Sequence, residues 1–297
     1  MQNLIKMRTK FELFVLFIIV SVAASCGSSN EKPTENVADS TVVKDTLAAT
    51  NPIDEEKEFK FLQIIANIPA PSKEVLEIAK SGFKYNSKLV NNAANAEKYE
   101  TTFKKAINYG VCLSDLAYTA SFGNTQDVLI QFSAAKILAE GASALATFEK
   151  VVTQAHFEDQ LKNMNVDTVE RIIDNIYTAT DEYLTNDHHL DIASKILVGS
   201  WIENQYLALN TINGVKMSPS NEKLFDQLWS QKLHLANINK LMAEYADNEE
   251  MNKVAQKLTE FEKAYYTDLS DVKGLTKEKI TGMQKAISVI RSEIVAL

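Results

Sequence analysis

Two acidic residues stand in apolar stretches where the interior of a helix bundle is expected. Asp115 lies between Leu113 and Leu116, and Glu203 follows directly on Ile202. A carboxylate that is removed from water is strongly destabilising unless it is paired or hydrogen-bonded. Each of these two side chains therefore requires a partner, or lies beside a cavity.

Two interpretations of this pair remain open at the level of the sequence. In the first, both carboxylates accept hydrogen bonds from tyrosine, serine or backbone groups, or face solvent between helices. In the second, they belong to a polar interhelical pocket that holds a small ligand or ion. The predicted lining of that pocket is Asp115, Tyr118, Gln126, Trp201, Glu203 and Tyr206.

Recognisable catalytic and cofactor motifs are missing from the sequence. It contains no dinucleotide-binding glycine pattern, no phosphate-binding loop, no nucleophile elbow and no His-Glu-x-x-His zinc motif. None of the four histidines has a glutamate three residues before it, which excludes the usual di-iron pair of helical bundles. We therefore expect no catalytic residue, no metal site, no cofactor and no enzymatic activity, although two acidic residues alone can act as general acid and base.

The charge balance limits the classes of partner. The chain has 31 Lys and Arg residues against 39 Asp and Glu residues. An acidic protein has no general attraction to nucleic acid or to anionic lipid surfaces. We expect no nucleic-acid partner, and membrane association only through a covalent lipid.

The first residues of the chain predict an export signal. Lys6, Arg8 and Lys10 precede an uncharged apolar run over residues 13–24, which is shorter than the ~20 residues that a membrane-spanning helix needs. Small residues then lead into Cys26. Residues 1–25 are therefore predicted to be a signal peptide.

This segment resembles the signal and lipobox of bacterial lipoproteins. The resemblance implies that the Cys26 thiol receives a diacylglycerol, that cleavage precedes Cys26, and that the new amino terminus is acylated, as with palmitate. Ordinary signal-peptidase cleavage after Ser25 is the alternative. Two or three acyl chains make a membrane anchor effectively permanent.

The remaining chain predicts a tether followed by an all-α domain. Residues 26–56 are polar and predict a disordered tether, and residues 57–297 predict a multi-helix bundle of antiparallel hairpins. Asn124 with Asp127 three residues later predicts a helix start. The clearest helical period is near the C-terminus, where apolar residues recur at steps of three and four: Met251, Val254, Leu258, Phe261 and Tyr265, then Ile280, Met283, Ile287, Ile290, Ile294 and Leu297. Gly214 and Pro219 leave open a subdivision near 214–220.

Residues 68–72, 110–118 and 199–206, together with Gln126, resemble a group of uncharacterised all-helical lipoproteins of the Bacteroidetes. The resemblance implies export and a helical fold and assigns no activity. We therefore expect a lipoprotein anchored in the cell envelope, at the outer membrane, whose helical domain binds another envelope protein or supports a membrane complex. The alternative is a small-molecule or ion binding module with a pocket near Asp115 and Glu203.

Overall fold

The computed structural model describes residues 52–65, 71–163, 166–186 and 189–297, and within them the chain forms an all-α bundle without strands. The predicted fold class is confirmed. In chain order the α-helices are α1 Pro52–Ile65, α2 Pro71–Lys80, α3 Thr102–Ser121, α4 Thr125–Gly141, α5 Leu145–Val151, α6 Gln154–Lys162, α7 Val166–Asn186, α8 Leu190–Ile212, α9 Glu222–Ala243, α10 Glu249–Tyr265 and α11 Lys277–Val295, with 3-10 helices at Ala93–Lys98 and Val272–Gly274.

Several helices begin at side chains that cap the first turn. The Asn124 side chain accepts a hydrogen bond from the backbone N–H of Asp127, so α4 starts where the sequence predicts. Thr276 caps α11 in the same way through the N–H of Lys279. Such caps satisfy N–H groups that have no partner inside the helix, which is why short polar residues mark these boundaries.

Two helices, α3 and α8, form the centre of the bundle and are buried on all sides. Residues 106–120 of α3 and 192–205 of α8 are buried without interruption. A helix that is surrounded by other helices has no solvated face, so its sequence lacks a clear amphipathic period. Helices α10 and α11 are amphipathic, and their apolar positions at 251, 254, 258 and 261 and at 280, 283, 287, 290 and 294 are buried, as predicted. Tyr265 is only partly buried, and Leu297 is exposed because it lies beyond the end of α11.

Glycines allow α3 and α8 to approach backbone to backbone. A Cβ atom at Gly110 would overlap the carbonyl oxygen of Ile196, and one at Gly199 would overlap that of Ile107. The Ser200 hydroxyl also donates to the Gly110 carbonyl oxygen across the contact, at 3.0 Å. Small residues at a crossing permit this close packing.

The last helix, α11, closes the bundle and runs antiparallel to α8. The Thr281 hydroxyl donates to Asn213 Oδ1 at 2.9 Å, and Gln284 Nε2 donates to Asn210 Oδ1 at 2.8 Å, so later residues of α11 meet earlier residues of α8. The described residues all belong to one compact unit, 49–297. Two of the helices that follow residues 214–220, α9 and α11, pack on α8, and the subdivision near 214–220 stays a prediction.

Several sequence predictions fall outside the described residues. These are the signal peptide at 1–25, the lipidation site Cys26 and the tether as far as residue 51. Helix α1 begins at Pro52, which lies inside the last part of the predicted tether 26–56. None of the described helices has both the length and the apolar character that crossing a membrane requires.

Candidate functional site

The contact between α3 and α8 brings Asp115 and Glu203 together in the interior. Both side chains are 0% exposed. In addition to burial, the charge of Glu203 acts directly on the Asp115 carboxyl group and raises its pKa. The structure therefore places these two residues of the predicted pocket in one cluster, and the ligand-binding pocket itself stays a prediction.

A third group, Arg291 of α11, completes the cluster. Its Nε donates to Glu203 Oε2 at 2.9 Å and its second guanidinium nitrogen donates to Glu203 Oε1 at 3.0 Å. The same nitrogen donates to the Leu89 carbonyl oxygen at 3.3 Å, and the guanidinium carbon lies 4.4 Å from the centre of the Tyr206 ring. A two-point arginine–carboxylate pair with an aromatic ring beneath it is a strong and directional arrangement.

Arg291 forms its ion pair with Glu203, and Asp115 forms no ion pair with another described residue. Its Oδ2 accepts the backbone N–H of Asn91 at 2.9 Å, whereas Oδ1 receives no N–H or O–H among the described residues. Burial raises the pKa of Asp115 well above its ordinary value, and the charge of Glu203 raises it further; the Arg291 charge acts in the opposite sense. One proton held by Asp115 leaves the cluster of two carboxyl groups and one guanidinium electrically neutral.

The space beside Asp115 is very small. A cavity of about 10 Å³ is lined by Asp115, Asn91, Tyr99, Cys112 and Gln131 together with smaller side chains. Since a single water molecule needs roughly 10–15 Å³ measured in this way, the cavity has room for about one water. Two hydrogen bonds connect residues that line the cavity. Gln131 Nε2 donates to the Asn91 carbonyl oxygen at 3.0 Å, and Asn91 Nδ2 donates to the Tyr99 hydroxyl at 3.1 Å.

The other predicted pocket residues lie in different places. Tyr118 is adjacent, and its hydroxyl accepts the N–H of Asn86 at 3.2 Å. Gln126 is exposed on α4. Trp201 faces the opposite side of α8, where its Nε1 donates to Gln231 Oε1 at 2.7 Å. Of the six predicted lining residues, the structure therefore gathers Asp115, Glu203 and Tyr206 around Arg291, with Tyr118 beside them, and separates Gln126 and Trp201.

The sequence reasoning missed Arg291, although a signal for it exists. The chain contains three arginines, Arg8, Arg171 and Arg291. Arg291 directly follows the apolar position Ile290 and precedes Ile294, so it stands at the edge of a buried helix face. Buried carboxylates require cations, and a search for arginines at the margin of an apolar face would have selected Arg291.

Trp201 belongs to a second buried polar cluster on the other side of α8. Glu74 of α2 accepts hydrogen bonds from Gln231 Nε2 at 2.6 Å and from Asn204 Nδ2 at 2.8 Å. His234 lies next to it on α9. The described residues contain no group of three or more His, Cys, Asp or Glu side chains that could hold a metal ion.

Comparisons with protein-family models, with curated proteins and with solved structures each gave no match to this chain.

Proposed function

We propose that this chain is an exported, lipid-anchored protein of the cell envelope whose helical domain binds another envelope protein without catalysing a reaction. The predicted export signal and Cys26 support export and lipid anchoring, which are the first half of the proposal. The second half rests on one observation, an apolar groove on the surface of the bundle.

The groove lies between α1 and α9 and has a volume of about 760 Å³. Its apolar floor includes Ile64, Leu241 and Ala243, and Lys60 and Glu244 form an ion pair at 3.1 Å across it. Phe59 stands at i, i+4 from the lining residue Gln63 and is 62% exposed. An exposed aromatic residue beside an apolar groove with a charged edge is typical of a protein-binding surface.

The buried acidic cluster supports the non-catalytic half of the proposal. Asp115 and Glu203 are closed off from solvent, and the adjoining cavity has room for about one water. A reactant cannot reach these carboxyl groups in this conformation. The small-molecule alternative at Asp115 and Glu203 would need the helices around them to separate, and it stays a prediction.

The test is photo-crosslinking of the full chain in its native host. A photoreactive amino acid replaces Phe59 at the groove, and in the matched control it replaces Val289, which is 55% exposed on α11. We expect one discrete protein adduct from position 59 and none from position 289. The further change Ala243→Arg fills the groove and should abolish the adduct.

Equal labelling from both positions, or no adduct from position 59, contradicts protein binding at this groove. Native mass spectrometry of the same protein provides the other arm of the test. A retained small molecule that is lost on Asp115→Asn or on Glu203→Gln would favour the small-molecule alternative.

A further inference from the structure

Glu74 is a buried carboxyl group at the junction of α2, α8 and α9. Its two oxygens accept hydrogen bonds from neutral amides, Gln231 Nε2 at 2.6 Å and Asn204 Nδ2 at 2.8 Å. Gln231 Oε1 in turn accepts the indole N–H of Trp201 at 2.7 Å. The Glu74 carboxyl group thus connects α2 to α8 and α9 through side-chain hydrogen bonds.

No cation neutralises Glu74 within the part of the chain that the structure describes. From α9, His234 Nδ1 lies 3.9 Å from Glu74 Oε1, and burial lowers the pKa of this histidine, which favours its neutral form. From α7 and from the end of α10, Tyr177 and Tyr266 face Glu74, and burial raises the pKa of both phenols, so they are neutral as well.

One charged group of α8 and one of α3 are engaged elsewhere, and Glu170 of α7 interacts by charge with Lys80 at the end of α2. Glu203 of α8 is paired with Arg291, and Lys104 of α3 donates to carbonyl oxygens at the end of α11. The charge of Asp181 on α7 raises the pKa of Tyr177 further. Burial therefore dominates and raises the pKa of Glu74 to about 7, against the opposing hydrogen bonds from Gln231 and Asn204.

The hydrogen-bonding groups around Glu74 can also accommodate its protonated form. Asn204 Oδ1 is buried and has no hydrogen-bond partner among the described residues. A half-turn of the Asn204 amide exchanges its oxygen and nitrogen, and the oxygen then accepts the O–H of a protonated Glu74. In the protonated form Asn204 Oδ1 gains the O–H of Glu74 as a donor and Nδ2 takes the unpaired position, so the hydrogen bond to Glu74 is kept, whereas the ionised form also buries a negative charge.

We propose that Glu74 is a pH-responsive latch for the N-terminal arm, defined as α1 and α2, which is docked while Glu74 is protonated and opens when Glu74 ionises. Helix α2 packs against α3, α7, α8 and α9, and its apolar side chains Val75 and Ile78 are fully buried. Helix α1 depends on the exposed Lys60–Glu244 pair and on packing against α9 and α8, so it loosens with α2.

The sign of the effect follows from linkage. The folded-state pKa of Glu74 is raised, so its contribution to docking is complete below its ordinary value of 4.5 and is lost as the pH rises through about 7. Between pH 5.5 and pH 8.5, the ratio of open to docked arm rises roughly thirtyfold if Glu74 regains its ordinary pKa in the open state. Because α1 forms one wall of the groove, the latch also controls the shape of that surface.

Hydrogen exchange of the full chain at pH 5.5 and 8.5 tests the latch. Protection factors, which correct for the intrinsic pH dependence of exchange, are compared for peptides within 52–80 and within α11. We expect protection of the arm to fall by roughly thirtyfold at the higher pH while α11 is unchanged. In Glu74→Gln the arm should remain protected at both pH values.

Asp181→Asn is the matched control. Burial raises the pKa of Asp181 to about 7 as well, but this residue lies on α7 and outside the hydrogen bonds of the arm. We expect this variant to keep the pH-dependent opening.

Two outcomes overturn the latch. In the first, the arm of the unmodified chain loses no more protection than α11 at the higher pH. In the second, Glu74→Gln loses as much protection as the unmodified chain. Neither measurement uses a binding partner, so a negative result for the latch does not bear on the proposed protein binding.

Discussion

Arg291 shows how a single residue can join distant parts of this chain. It pairs with Glu203 of α8, donates to the Leu89 carbonyl oxygen in the segment before α3, and covers the Tyr206 ring. Burial opposes its charge, but the charge and hydrogen bonds of Glu203 outweigh burial and raise the pKa of the guanidinium. The permanent charge of Arg291 therefore compensates a carboxylate that has no access to water.

Arg291→Met should strongly destabilise the fold. Removal of one partner from a buried ion pair leaves the other charge uncompensated, and typically lowers the free energy of unfolding by about 3–5 kcal/mol. Urea unfolding at pH 7 measures the change. The matched control is Arg171→Met on α7, where the arginine is exposed and contacts Thr168, and we expect a change within ~0.5 kcal/mol. Equal effects of the two substitutions would contradict the role given to Arg291.

Asp115→Asn should flatten the pH dependence of stability. Because the pKa of Asp115 is raised, its favourable contribution is complete below its ordinary value of 3.8 and declines as the pH rises, by at most about 1.4 kcal/mol per pH unit. The asparagine keeps an acceptor for the Asn91 N–H and gains a donor toward Glu203. Urea unfolding at pH 5 and pH 8 should show a smaller loss in the variant than in the unmodified chain. Identical slopes would show that Asp115 stays ionised.

At the scale of helices, the crossing of α3 and α8 sets the geometry of the interior. Gly110 and Gly199 allow the two backbones to meet, and serine hydroxyls then bond across them: Ser200 to the Gly110 carbonyl oxygen and Ser114 to the Ser200 carbonyl oxygen at 3.2 Å. A few residues beyond this contact, Asp115 and Glu203 come together. The acidic cluster is therefore a consequence of how closely two helices pack.

Gly199→Ala should be strongly destabilising, because the added methyl group meets the carbonyl of Ile107 and the backbones must separate. We expect a loss of about 3 kcal/mol in the free energy of unfolding, at the upper end for overpacked cores. In the control Gly141→Ala, the methyl group meets the flexible side chain of Lys105, and better helix propensity should offset the contact to within ~1 kcal/mol. Thermal unfolding of both variants measures the difference. A mild effect at Gly199 would mean that the helices tolerate a wider separation.

At the scale of the whole molecule, the bundle is closed by its last helix. Lys104 Nζ of α3 donates to the carbonyl oxygens of Glu293 and Ala296, each at 2.8 Å, and so caps the C-terminal end of α11. The Tyr99 hydroxyl donates to the Val295 carbonyl oxygen at 3.0 Å. The end of α11 is thus bound to α3 and to the segment that precedes it.

Cys26→Ala tests the proposed anchor. We expect the unmodified chain to incorporate an alkyne-labelled fatty acid and to partition into detergent, and Cys26→Ala to lose the label. The buried Cys112 provides the matched control, since Cys112→Ala removes a thiol of the domain and should leave labelling unchanged. Labelling that persists in Cys26→Ala would refute lipidation at this cysteine and favour ordinary cleavage after Ser25.

Local signals explain what the sequence could predict of the fold. The start of α4 at Asn124 depends on one capping hydrogen bond, and the buried positions of α10 and α11 depend on a period of 3.6 residues. Both are properties of a short segment, so an all-α bundle could be inferred without knowledge of which helices touch. The apolar residues near Asp115 and Glu203 raised the question of their burial, but the sequence left open whether these carboxylates are buried or face solvent.

The tertiary structure alone decided which groups meet. In α8, residues 192–205 are buried on every side, so no polar face indicates the orientation of the helix. Glu203 and Asn204 are neighbours in sequence, yet one binds Arg291 and the other binds Glu74 on a different side. The pairing of Glu203 with Arg291 spans 88 residues, and no local pattern encodes it. The sequence by itself determined the helices, because capping and periodicity are local, whereas the packing of helices that are far apart in the chain decided which charges are buried and which partner each one has.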